Sequence, residues 1–165
     1  MILVTLGTQD KPFKRLILSV EKQIREGKIK EKVIVQNGTT KYETNLPKEK
    51  MELIDFIPEG EFNKYIEEAS LIITHAGVGS IIESLNKNKK VIAVARLKRY
   101  GEHVNDHQKQ IVENFADKGY IIPLDNVDDL DKALDEVEKF EPKKYKGNNV
   151  NFLKKLENEL EDALN

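Results

Sequence analysis

The sequence predicts a doubly wound α/β domain of Rossmann-like type, a parallel sheet with helices on both faces. Three observations carry this. Short runs of β-branched and aliphatic residues alternate with segments of helical periodicity almost from end to end. The strand-like runs are apolar at consecutive rather than alternate positions, the pattern of strands covered on both faces. The connections are short, which for strand–helix–strand units means parallel strands and right-handed crossovers.

Taken in order, Ile2-Leu3-Val4-Thr5-Leu6 is a first strand, stopped by Gly7. Pro12 suits the first turn of a helix whose apolar positions Phe13, Leu16, Ile17, Val20 and Ile24 fall at helical spacing, and Gly27 is placed to end it. Val33-Ile34-Val35 is a second strand, closed by Asn37-Gly38. Residues 51–57 are a third, stopped by Pro58. Phe62, Tyr65, Ile66 and Ala69 mark a helix. Leu71-Ile72-Ile73-Thr74 is a fourth strand, which runs through His75-Ala76-Gly77-Val78-Gly79-Ser80 into a helix carrying Ile81, Ile82 and Leu85. Val91-Ile92-Ala93-Val94 is a fifth. The polar loop 96–104 then leads into a helix with Val104, Gln108, Ile111, Val112 and Phe115 on one side, and Gly119 ends it. Tyr120-Ile121-Ile122 is a last short strand before Pro123. Residues 125–138 read as an acidic helix with Val127, Leu130, Leu134 and Val137 on its apolar side. A polar connection over 141–149 leads to a final amphipathic helix over 150–164, with Leu153, Leu156, Leu160 and Leu164 in line.

Composition narrows the function. A chain of 165 residues fits one domain. Twenty-seven basic against 29 acidic side chains give a net charge of −2. That charge is uneven: from Leu124 onward there are 12 acidic and 7 basic residues, so the body before it is mildly basic. Such a body suits a small anionic ligand better than a nucleic acid, which wants a dense basic face. The absence of cysteine excludes disulfide scaffolds, zinc ribbons and thiol nucleophiles. No apolar run reaches the roughly 20 residues of a membrane span, and Met1 opens directly into a strand, so a soluble, cytoplasmic protein is expected.

In open α/β sheets ligands bind beyond the carboxyl ends of the strands, which directs attention to segments 7–11, 74–80 and 96–107. Residues 74–80 are a strand end, a glycine turn and a helix start. The free amides and dipole of a helix start attract anions, and glycines let a ligand approach the backbone; the same residues also serve as a plain tight turn capped by Ser80. The Rossmann dinucleotide pattern fails at Ile82, where a third glycine is needed, and no P-loop Gly-Lys-Ser/Thr occurs. Glu83, one turn into the helix, is placed either to accept hydrogen bonds from ribose hydroxyls or to sit solvated. Gly7-Thr8-Gln9 offers amides and a hydroxyl, or is a simple strand-to-helix turn. His103 and His107 stand four apart, but without a Glu in His-Glu-x-x-His order; Asp106, His107 and Gln108 suit recognition of sugar hydroxyls, while Asn105 or Asp106 equally suits a helix cap.

Together these pieces resemble a known family. A first strand ending Val4-Thr5-Leu6-Gly7-Thr8, the His75-Ala76-Gly77-Val78-Gly79-Ser80 turn followed by Glu83, and the segment from Glu102-His103 to His107-Gln108 are similar to the C-terminal domain of glycosyltransferase family 28. The likeness covers residues 1–122 and is nearest to the free-standing form, which includes the bacterial PssE-type polysaccharide subunits and the soluble subunit of the dolichyl-diphosphate-GlcNAc transferase. It implies one half of a GT-B fold, residues 1–147 forming a UDP-sugar-binding domain and 148–165 a helix for docking a partner. It further implies that Gly77, Val78, Gly79 and Ser80, with His75, lie near the diphosphate. Glu83 would hold the ribose, Gly7 and Thr8 the cleft floor, and His103, Asp106, His107 and Gln108 the donor-sugar side. Asp106 stands where the family often has Asn, which leaves the sugar open. No metal or other cofactor is implied. The expected reaction moves a hexose from a UDP-sugar to a polyprenyl-diphosphate-linked saccharide in polysaccharide or glycan synthesis. The chain is too short for both halves of such an enzyme, so a membrane-anchored, PssD-like acceptor-binding subunit is expected to complete it and recruit it to the inner face of the membrane. The resemblance assigns no general base to this chain. A non-catalytic UDP-sugar-binding regulatory subunit and an epimerase-like protein are the alternatives.

Overall fold

The computed structural model describes residues 1–145. The helix expected over 150–164 and the domain boundary at 147/148 therefore lie outside the described residues.

Six strands form one parallel sheet: β1 (Ile2–Thr5), β2 (Val33–Gln36), β3 (Met51–Ile54), β4 (Leu71–His75), β5 (Val91–Val94) and β6 (Ile122–Pro123), in the order β3-β2-β1-β4-β5-β6. Among the described residues five α-helices accompany them: α1 (Lys14–Arg25), α2 (Glu59–Glu68), α3 (Val78–Asn86), α4 (Gln108–Asp117) and α5 (Leu130–Lys139). Every side chain of β1, β2, β4 and β5 is buried, whereas the edge strands β3 and β6 are partly open. Val4, Val35, Ile73 and Val94 point to the layer of α1 and α5, where Leu16, Ile17, Val20, Leu130 and Leu134 meet them. Leu3, Ile34, Ile72 and Ala93 point to the other layer, filled by Ile66, Ile81, Leu85, Ile111 and Phe115 of α2, α3 and α4. Among the described residues no helix is long and apolar enough to cross a membrane.

Five boundaries differ from expectation by two residues or more. The first helix starts at Lys14 with Phe13 at its N-cap, so Pro12 lies before its first turn. The third strand stops at Ile54 instead of 57. Its neighbour β2 turns away at Gly38 (φ +56°) after the amides of Asn37 and Gly38 donate to the carbonyls of Ile54 and Asp55. Phe56, left without a ladder, is 58% exposed. The fourth helix starts at Gln108, and Val104, assigned to its apolar side, is 64% exposed. Here Asn105 Oδ1 accepts from the His107 amide at 3.0 Å and Asp106 Oδ1 from the Lys98 amide at 2.8 Å, side-chain bonds that hold a turn rather than a helix. Tyr120 and Ile121 are buried but precede β6, because the Tyr120 amide is spent on the Phe115 carbonyl. The acidic helix is in two parts, a 3₁₀ turn over Val127–Asp129, capped by Asn126 Oδ1, and then α5.

The chain passes from β3, at one edge, back across β1 to β4. The crevice above β1 and β4 is therefore the place where strand order reverses, and there the loops after these strands splay apart.

Candidate functional site

At the carboxyl end of β1 the chain is held by Gln36 of β2. Its Oε1 accepts from the Thr5 hydroxyl at 2.7 Å and the Gly7 amide at 3.2 Å, and its Nε2 donates to the carbonyls of Gly7 and Asp55, both at 3.1 Å. Gly7 takes φ +75°, a conformation side chains other than glycine's rarely adopt. At the end of β4 the Gly77 amide donates to the His75 carbonyl at 2.8 Å, a tight turn that launches α3. Gly77 is the N-cap and, having no side chain, leaves the first amides of α3 without a capping bond from that position. The expected cap at Ser80 is absent, since Ser80 is already the third helical residue.

Between these loops opens a cleft of about 740 Å³. It is lined by Gly7, Thr8, His75, Gly77, Gly79, Ser80 and Glu83 of the expected set, by Gln9 of the Gly7-Thr8-Gln9 turn, and by Gln36, Phe56, Ile57 and Phe62, which sequence reasoning did not select. Val78 instead packs inward on the core beneath α3. His103, Asp106, His107 and Gln108 do not line this cleft. They form a neighbouring group on the loop after β5, the strand beside β4. Gln108 is buried and its Oε1 accepts from the Arg96 amide at 3.1 Å. His107 Nδ1 is buried without a hydrogen-bond partner among the described residues. Burial, followed by the charges of Arg96 and Lys11, lowers the pKa of His103.

His75 joins the two sides of the cleft. It is 6% exposed, and its Nδ1 has no partner among the described residues. Its ring is wedged between two glycines: a Cβ on Gly7 would stand 2.5 Å from Nε2, and one on Gly77 2.5 Å from Cε1. Burial, then the positive charges of Arg96 and His103, bring its pKa down to about 3, so the ring is neutral. In the unfolded chain it returns to about 6.5 and takes up a proton that the fold refuses. Stability from this group is thus full above about pH 6.5 and falls as pH drops towards 3, by up to about 1.4 kcal/mol per pH unit. Denaturant titrations at several pH values check this: His75→Asn should lose less stability than wild type on acidification, and parallel losses would contradict it.

Two buried charges have partners that sequence reasoning did not assign: Arg96 was read as the start of a polar loop, and Glu102 only as part of the segment that carries the family resemblance. Arg96 is 1% exposed; burial lowers its pKa to about 10, with Glu102 and Asp10 opposing, so it stays charged at neutral pH. Glu102, 3% exposed, pairs through Oε2 with Arg15 Nε at 2.7 Å and accepts from the Leu97 amide at 3.0 Å.

Sheet order and cleft define a Rossmann-like α/β domain of the kind found in GT-B glycosyltransferases. More particularly, the chain belongs to glycosyltransferase family 28, matching its C-terminal domain over residues 1–162. It is 39% identical over 72 residues to the UDP-N-acetylglucosamine transferase subunit ALG13 of Candida albicans, covering 44% of this chain and 23% of that one. With the Saccharomyces cerevisiae ALG13 it is 33% identical over 85 residues, 51% of this chain and 40% of that one. The matches thus span less than half the length of these relatives. Among solved structures, an NMR structure of ALG13 superposes with a TM-score of 0.52 at 22% identity, covering 86% of this chain and 87% of that one. MurG of Acinetobacter baumannii superposes at 0.56 and 18% identity, over 82% of this chain and 40% of that one. At these identities the structural likeness concerns the fold alone.

Proposed function

We propose that the chain binds the UDP-sugar donor as one component of a two-component glycosyltransferase that moves a hexose to a hydroxyl of a polyprenyl-diphosphate-linked saccharide. The observation that carries this reading is the cleft at the β1/β4 crevice, which the uncapped start of α3 and the buried, neutral His75 both line. Its volume is that of a small-molecule site.

In this reading the diphosphate rests on the amides of Val78, Gly79 and Ser80, beside Gly7 and Thr8. Glu83 accepts from the ribose hydroxyls, and Phe56, Ile57 and Phe62 offer the base an apolar wall. The sugar then points towards His103, Asp106, His107 and Gln108. As the bond between the sugar and the diphosphate oxygen breaks, charge develops on departing UDP, and the fixed helix-start dipoles meet it without reorganising. A base must accept the proton of the attacking hydroxyl, and in this reading it comes from the membrane-anchored, acceptor-binding partner. Residues 150–164 dock that partner and bring the chain to the membrane; deleting 150–165 should abolish complex formation. Because the relatives are N-acetylglucosamine transferase subunits, that sugar is favoured.

Calorimetric titration with UDP, ADP and NAD tests the reading. UDP is expected to bind about tenfold or more tightly than ADP, a difference of roughly 1.4 kcal/mol, with NAD weaker still. Equal binding of all three, or none, contradicts it. UDP binding without transfer once the partner is added would leave a non-catalytic donor-binding module.

A further inference from the structure

The loop after β5 lies beside the donor cleft, and one side chain ties the two together. The guanidinium of Arg96, packed over the Phe13 ring with 5.0 Å to its centroid, donates through Nη2 to the Leu6 carbonyl at 2.5 Å. Through Nη1 it donates to the carbonyls of Lys11 at 2.7 Å and Glu102 at 3.3 Å. Leu6 and Lys11 bracket the loop that forms the cleft floor, and Glu102 sits in the loop after β5. The Arg96 amide meanwhile donates to Gln108 Oε1 at the start of α4.

These four hydrogen bonds of Arg96 therefore join the loop after β5 to the loop after β1 or to its own far end. Burying a guanidinium costs several kcal/mol unless good geometry offsets it, and among the described residues its hydrogen-bond partners are carbonyls, with no direct carboxylate. An apolar side chain of that volume would fill the space with less desolvation. What it could not do is bridge loops some 90 residues apart in sequence. Glu102 pins the same loop from the other side, its carboxylate joining Arg15 and the Leu97 amide, and Arg15 Nη2 donates to the Ala95 carbonyl at 3.0 Å.

We infer that Arg96 is a positioning residue, which fixes the loop over 97–107 against the donor cleft and thereby sets affinity for the sugar portion of a nucleotide sugar rather than for its nucleotide. The inference rests on the proposed donor site. A fork is needed, because the Leu6 carbonyl is held by one nitrogen and the Lys11 and Glu102 carbonyls by another, whereas an ammonium offers a single nitrogen.

Titrating wild type, R96Q, R96K and E102Q with UDP and with UDP-N-acetylglucosamine tests it. R96Q should weaken UDP-N-acetylglucosamine by about tenfold and UDP by less than about threefold, the loss of one or two charge-assisted bonds. R96K, which keeps the charge but loses the fork, should behave like R96Q. E102Q should show a smaller loss in the same direction, and carries the comparison if the Arg96 variants do not fold. Amide exchange should quicken over 97–107 in R96Q while β1 and β4 amides stay protected, which general destabilisation would not produce. Equal losses for both ligands, wild-type behaviour of R96K, or unchanged exchange would overturn the inference. A wild-type chain that binds neither ligand removes the donor-site reading itself, whereas wild-type binding of both with R96Q unaltered removes only the role of Arg96.

Discussion

Replacing Gly7 by alanine should lower stability by about 2–5 kcal/mol and abolish UDP binding. Two costs combine at this position. The backbone sits at φ +75°, where a Cβ costs about 1–2 kcal/mol. That Cβ would also stand 2.5 Å from His75 Nε2, and overpacking a fixed interior ring costs about 1–3 kcal/mol more. Two sister substitutions separate these costs. Gly27 shares the conformation, at φ +80°, but has nothing within 4 Å of a built Cβ, so G27A should show the backbone cost alone. Gly77 has φ −73° and the contact with His75, so G77A should show the steric cost alone. Urea unfolding of the three variants gives the comparison. If G7A is no worse than G27A, His75 yields easily and is not the wedge described above.

Glu83→Ala should reduce UDP affinity by about ten- to a hundredfold, the range for losing hydrogen bonds to a charged acceptor, and leave stability within about 0.5 kcal/mol. The carboxylate lines the cleft on the outer side of α3, whose buried contacts come from Ile81, Ser84 and Leu85, so removing it opens no cavity. Unchanged UDP affinity would return Glu83 to the role of a solvated helix residue.

The fold was legible because its signal is local. Each strand is a consecutive apolar run, and each turn glycine that closes an element marks a place where regular structure cannot continue. Gly27, Gly38 and Gly119 all take positive φ as that reading requires. The α3 half of the site was legible for the same reason, since strand end, glycine turn and helix start are contiguous in the chain. Phe56 was lost because Phe56-Ile57 has the same apolar character as the strand before it; only the departure of β2 at Gly38 ends the ladder. Arg96, Glu102 and Gln36 were lost because their meaning is long-range. Arg96 meets Leu6 and Lys11, and Gln36 meets Gly7, contacts that arise only when the strands are laid in order. Val104 carried an apolar spacing that side-chain-to-backbone bonds of Asn105 and Asp106 override.

The proposed seat of a uridine diphosphate, on the start of α3 between Gly7 and Gly77, is tested most directly by mapping amide shifts of the ¹⁵N-labelled chain during UDP titration. The largest shifts are expected on Gly7 and Thr8 and on Val78, Gly79 and Ser80, with little change at the opposite end of the sheet around Gly27 and Lys90. Shifts concentrated anywhere else, or none at saturating UDP, would contradict it.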